Sequence, residues 1–296
     1  MKPLACVGIA VLDKLFQVDT LPSTGGKYVA HGYREIGGGP AATAACAVAR
    51  LGHEVQLIAR VGDDSSGTTI IEELQRYHVD TRWVRRITGA SSALSAVIVD
   101  AHGERMIVNH QDPSLSRASD WMSMIDFTQY SGVLADVRWA EGAEAALDAA
   151  RSAGVPTVLD AEITPNDITP LVERTDHVVF SHPGLTRLTG IADFKAGLQA
   201  AAERTNGRVY VTAGSDGCYW LESGDLQYEP SHPVSVVDTT GAGDVFHGAM
   251  LVALAEGRPI RQAVRFACLV AALKCTRVGG RDGIPDRAEV DRALAG

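Results

Sequence analysis

Val237-Asp238-Thr239-Thr240-Gly241-Ala242-Gly243-Asp244-Val245-Phe246-His247-Gly248 is the stretch around which the chain is organised. Two glycines flank Ala242, so the backbone there can turn tightly and lie directly against a ligand. Residues 245–254 are almost continuously apolar, which predicts a buried helix. A glycine turn opening such a helix aims unpaired N–H groups and the positive end of the helix dipole at one point, a ready anion site. Asp244 sits in that first turn. A carboxylate beside an anion site makes sense when the anion is a phosphoryl group and the carboxylate holds the attacking hydroxyl. The plainer alternative is a capped helix start with solvated acids.

Outward from this stretch, the 296 residues suit one large domain or a domain with an insertion. A hydrophobic content of 46% with 21% charged residues is ordinary for a soluble globular protein. The formal net charge of −9 argues against a nucleic-acid or anionic-membrane partner. An anionic substrate would therefore need local positive charge. The five cysteines (Cys6, Cys46, Cys218, Cys268, Cys275) include no Cys-x-x-Cys pair and read as reduced thiols of a cytoplasmic protein. The apolar N-terminal run is short, is broken by Gly8 and meets Asp13 and Lys14, so it reads as a buried strand and not a signal peptide. No apolar run reaches membrane-spanning length.

In chain order, residues 4–12 read as one strand ending at Asp13, at the edge where an open α/β sheet binds its ligands. Residues 16–33 read as loop and short strands. Gly37-Gly38-Gly39-Pro40 leads into an alanine-rich helix over 41–51, closed by Gly52. Strands are expected at 55–61, 83–87 and 92–99, with a helix at 67–78. Asp100-Ala101-His102-Gly103 predicts a hairpin turn and 105–109 its return strand. After residue 126, strands at 132–135, 157–159, 178–181, 209–212 and 219–221 alternate with helices. That rhythm predicts an α/β fold with a mostly parallel central sheet covered on both faces. Thr212-Ala213-Gly214-Ser215-Asp216-Gly217, after a strand, fits either a hairpin or a loop against nucleotide phosphates.

Asp-Thr-Thr-Gly-Ala-Gly-Asp (residues 238–244) resembles the signature of the ribokinase-like (PfkB) carbohydrate kinases, and the likeness covers nearly the whole chain. The resemblance implies one ribokinase-like three-layer domain over residues 1–296, with a small β-sheet lid inserted at about 14–34 and 92–110. It implies ATP and Mg2+, with Asp244 as catalytic base and the amides of Gly241, Ala242 and Gly243 as the anion hole. It suggests Thr212, Gly214, Gly217 and Gly243 at the nucleotide, with Cys268 lining the adenine pocket or serving as a buried thiol. Asp13 would grip sugar hydroxyls, and Gly38 and Gly39 would lie against the sugar. Ala42 stands where the family has an asparagine reading a hydroxyl, which points away from ribose. The family motif Asn-x-x-Glu is replaced by Ser181-His182-Pro183-Gly184, leaving Asp160 or Glu162 as candidates to orient the water shell of magnesium.

Within the family the chain is similar to the bacterial kinases of sulfofructose, and Lys27, Asn109 and Arg138 match positions that resemble their sulfonate clamp. A sulfonate is a monoanion with three weak acceptor oxygens, which suits a guanidinium, an ammonium and an amide. Taken singly, each residue also fits a loop, a turn or a salt bridge. The resemblance thus implies phosphorylation of the first-carbon hydroxyl of 6-deoxy-6-sulfofructose. Alternatives are a kinase of another keto-sugar such as fructose 6-phosphate, or a non-catalytic nucleotide or sugar sensor. A homodimer through the lid is expected from its exposed edge.

Overall fold

A computed structural model describes residues 2–295. The chain opens with β1 (Leu4–Ile9), almost wholly buried, and passes through Ala10 into β2 (Val11–Gln17). Residues 18–31 carry no helix or strand and lead to β3 (Gly32–Gly38). Helix α1 (Pro40–Arg50) follows at once, with Pro40 in the first turn, where its missing N–H has no helical partner to lose. Next come β4 (Val55–Gly62), α2 (Ser65–Arg76, capped by Asp64), β5 (Asp80–Ile87), β6 (Leu94–Val99) and β7 (Arg105–His110). The alternating half comprises β8 (Gly132–Asp136), α3 (Ala140–Ser152), β9 (Thr157–Ala161), α4 (Thr169–Arg174), β10 (His177–Ser181), α5 (His182–Thr189), α6 (Phe194–Ala202) and β11 (Arg208–Thr212). A hairpin of β12 (Cys218–Glu222) and β13 (Asp225–Glu229) precedes α7 (Ala242–Ala255), α8 (Ile260–Lys274) and α9 (Arg287–Ala295).

Among the described residues nine strands form one sheet in the order β13-β12-β11-β10-β9-β8-β1-β4-β5, parallel from β11 to β5. Its central strands are buried on both faces, as βαβ crossovers require. One face packs against α1, α7 and α8, the other against α3 to α6. The expected ribokinase-like three-layer α/β architecture is therefore present. A second sheet, β3-β2-β6-β7, stands apart from it as a lid, with β2 and β6 parallel between two antiparallel pairs. The β6–β7 turn forms at 100–103 as expected, because the Asp100 carboxylate accepts from the His102 and Glu104 amides.

One expectation needs correction. Residues 4–12 are not a single strand: β1 stops at Ile9, and β2 belongs to the small sheet. Asp13 therefore lies inside β2, opposite Ile36 and Ser95, and not at the end of a strand of the large sheet. The apolar run is continuous across the switch, so composition cannot mark it. What ends β1 there is a distant group, the Asp136 carboxylate, which takes the Ile9 amide.

Candidate active site

The acids gather at the carboxyl ends of the parallel strands, where open α/β sheets bind ligands. Asp136 closes β8, and its Cα partner across the sheet is Asp160 on β9. Asp136 is buried and accepts three backbone amides: Ile9 at 2.9 Å, Ala41 at 3.1 Å and Arg138 at 2.8 Å. It thereby joins the end of β1, the first turn of α1 and the strand end carrying Arg138. A Cβ at Gly8 would collide with this carboxylate, which leaves glycine as the residue that fits. Nothing in the local sequence assigns Asp136 this part, beyond its being an acid at the end of an apolar strand.

Above these strand ends stands the head of α7. Gly241 caps the helix in the left-handed region, φ 74°, and the space beside Gly243 is open. The rest of the helix is buried through Ala253, which fixes its axis. Burial raises the Asp244 carboxyl to about 7, with the charge on Asp160 adding to the rise and His247 opposing it. Asp160 is raised by burial and by Asp136. His247, one turn after Asp244, is also buried, and its Nδ1 lies 3.4 Å from Asp160 Oδ2. Neither of its ring nitrogens has a hydrogen-bond partner among the described residues, and burial holds its pKa down. A carboxyl that titrates near neutrality at a helix head is equipped to accept a proton there.

The stretch Ser181-His182-Pro183-Gly184 opens α5. Ser181 Oγ accepts from the Gly184 amide at 3.1 Å and donates to Glu162 Oε1 at 2.9 Å. A Cβ at Gly184 would run into the Ala161 carbonyl, so a glutamate could not stand at that position without displacing β9. Among the described residues no cluster of three His, Cys, Asp or Glu side chains is spaced to hold a metal ion.

A cleft of about 570 Å³ opens between the two sheets. From the small sheet it is lined by Asp13, Arg34, Ser95, Arg105 and Asn109, and from segments outside both sheets by Gly39, Arg138, Thr164, Asn166, Asp238 and Thr240. Asp13 is raised by burial, which hydrogen bonding with Ser95 and the charge on Arg281 oppose. Gly39 caps α1 at φ 95°, with the Ile9 carbonyl where a Cβ would be, and a Cβ at Gly38 would strike the Asp13 carboxylate. Buried Arg281 donates to the Gly38 carbonyl at 2.8 Å and faces Glu73 at 3.4 Å. Asn109 and Arg138 thus share the cleft with Asp13. Lys27 does not: it is exposed within residues 18–31 and outside the cleft lining. Arg34 and Arg105, which the sequence reading passed over, do line it. Arg34 has a buried Nε with no partner among the described residues, and Arg105 pairs with Asp238 at 2.9 Å. Their only sequence signal is a charged residue within a strand of the small sheet.

Thr212, Gly214, Gly217 and Cys268 lie outside that cleft. Thr212 ends β11, and its hydroxyl donates to the Phe180 carbonyl at 3.3 Å. Gly214 adopts φ 58° at the start of a short 3-10 turn, whereas Gly217 is required by packing, since a Cβ there would strike the Glu229 carbonyl. The run is indeed a hairpin turn between β11 and β12. Cys268 is buried in α8, and burial, with the Glu229 charge, pushes its thiol to about 12.

Residues 1–287 of the chain match the family model described as pfkB family carbohydrate kinase. A crystal structure from Agrobacterium tumefaciens, provisionally named a ribokinase, superposes with a TM-score of 0.92 at 41% identity, covering 99% of this chain and 97% of that one. Ribokinase of Bacillus subtilis is 29% identical over 100% of both chains, and relatives named fructokinase also match. Ribokinase of Arabidopsis thaliana, in complex with ribose and ATP, superposes with a TM-score of 0.87 at 26% identity over 100% of this chain and 99% of that one. The lining of the cleft reaches Thr240, at the turn before α7, and does not include Gly241, Ala242, Gly243 or Asp244. By its fold and its relatives the chain is an ATP-dependent sugar kinase that uses ATP with Mg2+, and it belongs to the pfkB family of carbohydrate kinases.

Proposed function

We propose that this kinase phosphorylates the C1 hydroxyl of 6-deoxy-6-sulfofructose, giving the 1-phosphate. The observation that carries this reading is the pair of guanidinium groups, Arg34 and Arg138, that line one cavity with Asn109 in a chain of net charge −9, joined there by Arg105, which pairs with Asp238. Such local charge suits a sugar with an anionic far end. Arg138 and Asn109 are the proposed sulfonate ligands, and Asp13 accepts sugar hydroxyls. Lys27 would join them only if residues 18–31 moved inward.

Asp244 accepts the hydroxyl proton as that oxygen attacks the γ-phosphorus. The amides of Gly241, Ala242 and Gly243 face the transferring phosphoryl group, and Thr212, Gly214, Gly217 and Cys268 border the nucleotide. Magnesium, carried in on ATP, offsets charge on the phosphates. We read residues 1–296 as one kinase unit whose small sheet closes over the sugar. Exposed Tyr33, Met106, Ile107 and Val108 on that sheet support pairing with a second copy. No helix among the described residues is long and apolar enough to cross a membrane, in keeping with a cytoplasmic setting.

The reading is tested with sulfofructose, fructose 6-phosphate, fructose and ribose in an ATP-consumption assay. Arg138→Ala should lower kcat/KM for sulfofructose about tenfold or more, the loss of a charge-assisted hydrogen bond, and leave uncharged sugars nearly unaffected. Unchanged use of sulfofructose would remove Arg138 from the clamp. Fructose 6-phosphate is the second reading, and Arg34 and Arg105 favour it, because a dianion profits most from added guanidinium groups. A preference for it over sulfofructose in the same assay would decide the matter.

A further inference from the structure

Lys274, the last residue of α8, is fully buried, and the reaction as described gives it no part. Its Nζ donates to the backbone carbonyl of Asp238 at 2.7 Å, its one hydrogen bond among the described residues. Burial pulls its pKa down, while the Asp238 carboxylate favours the charged form. An ammonium is costly to bury and is retained only where a fixed positive charge is useful or well compensated.

Asp238 explains why the charge sits here. It begins the run that reaches Gly241 and the head of α7, and nearly every polar atom it has is engaged. Its amide donates to the Cys275 carbonyl at 3.1 Å. Its carboxylate accepts from the Thr240 and Gly279 amides, each at 2.9 Å, and from Arg105 at 2.9 Å. Asp238 is thus held from three directions: the small sheet through Arg105, the loop after α8 through Gly279, and the end of α8 itself through Lys274. Arg105 is partly exposed and reaches Asp238 from β7 of the small sheet. Lys274 reaches it from within the core, where α8 packs on α7.

We propose that Lys274 is a positioning residue, a built-in cation that pins the Asp238 carbonyl and so holds the Gly241-Ala242-Gly243 amides where a phosphoryl group is transferred. A glycine turn has no side chains of its own to fix it, and its amides must be in place before the reaction, since reorganising them during transfer would raise the barrier. Small monovalent cations from solution, which can offer a carbonyl the same single positive charge, are therefore the natural probes of this contact. The inference rests on the kinase activity and not on which sugar is used.

The test uses the full chain and whichever sugar of the panel it phosphorylates. Wild-type kcat should be the same in potassium, sodium and tetramethylammonium buffers. Lys274→Ala should lower kcat about tenfold or more with little change in sugar KM, as expected for the loss of a charge-assisted hydrogen bond. Potassium, ammonium or methylammonium ions should restore much of that loss, a rescue that a purely structural role would not give. Lys274→Met, of similar length and without charge, should show the same loss and, with the space still filled, less rescue. Full activity in either variant, or a loss in Lys274→Ala that no cation restores, would overturn the proposal. Should neither variant fold, the wild type decides: indifference to the cation upholds the proposal, and severalfold activation by potassium overturns it. A wild type that phosphorylates none of the sugars would instead count against the kinase substrate reading and is separable from either result.

Discussion

Asp244→Asn is expected to lower kcat by about 10²- to 10⁴-fold, the range over which a positioned general base contributes. The amide keeps the size of the side chain but cannot accept the hydroxyl proton. Nucleotide affinity should stay near the wild-type value, because the Gly241-Ala242-Gly243 backbone is untouched, and calorimetric titration with ATP measures this. Near-normal turnover by the variant would rule out the base assignment. The pH profile gives a second, independent reading. Burial and the charge on Asp160 raise Asp244 to about 7. A base must be ionised to act, so kcat should fall about tenfold per pH unit as pH drops below that value, and level off above it. An acid limb near 4, where an ordinary aspartate titrates, would show that this carboxyl does not limit the reaction.

Asp136→Ala is expected to cause the largest loss of stability. Three backbone N–H groups, of Ile9, Ala41 and Arg138, would lose their acceptor. Each buried donor left without a partner costs about 1–3 kcal/mol. The carboxyl is itself destabilised by burial, which returns part of that sum, so a net loss of about 3 kcal/mol or more is expected. It should appear as a lower midpoint in urea with the slope unchanged. Asp136→Asn should lose less, since its remaining oxygen can still accept from Ile9 and Ala41 while its NH2 opposes the Arg138 amide. A midpoint within a few tenths of the wild-type value for the alanine variant would mean that water or a shifted backbone takes over the clamp.

What the sequence determined by itself was local in origin. The glycine turn before α7, the apolar helix after it, the Asp100 turn and the alternation of strand and helix are each written within about twenty residues, where turn chemistry and hydrophobic period act directly. That was enough for the α/β architecture and for placing Asp244 at a helix head. Tertiary structure decided the rest, because it depends on contacts far apart in the chain. The switch of sheet at Ala10 is set by Asp136, which lies 127 residues from Ile9. Gly184 is glycine because of a carbonyl on the neighbouring strand, and Gly217 because of one on β13. Arg34, Arg105 and Arg138 come together, and Lys27 stays outside, because strand pairing and not sequence spacing chooses which side chains share a cleft. Lys274 reads as an ordinary helix-ending lysine until the fold buries it against the Asp238 carbonyl.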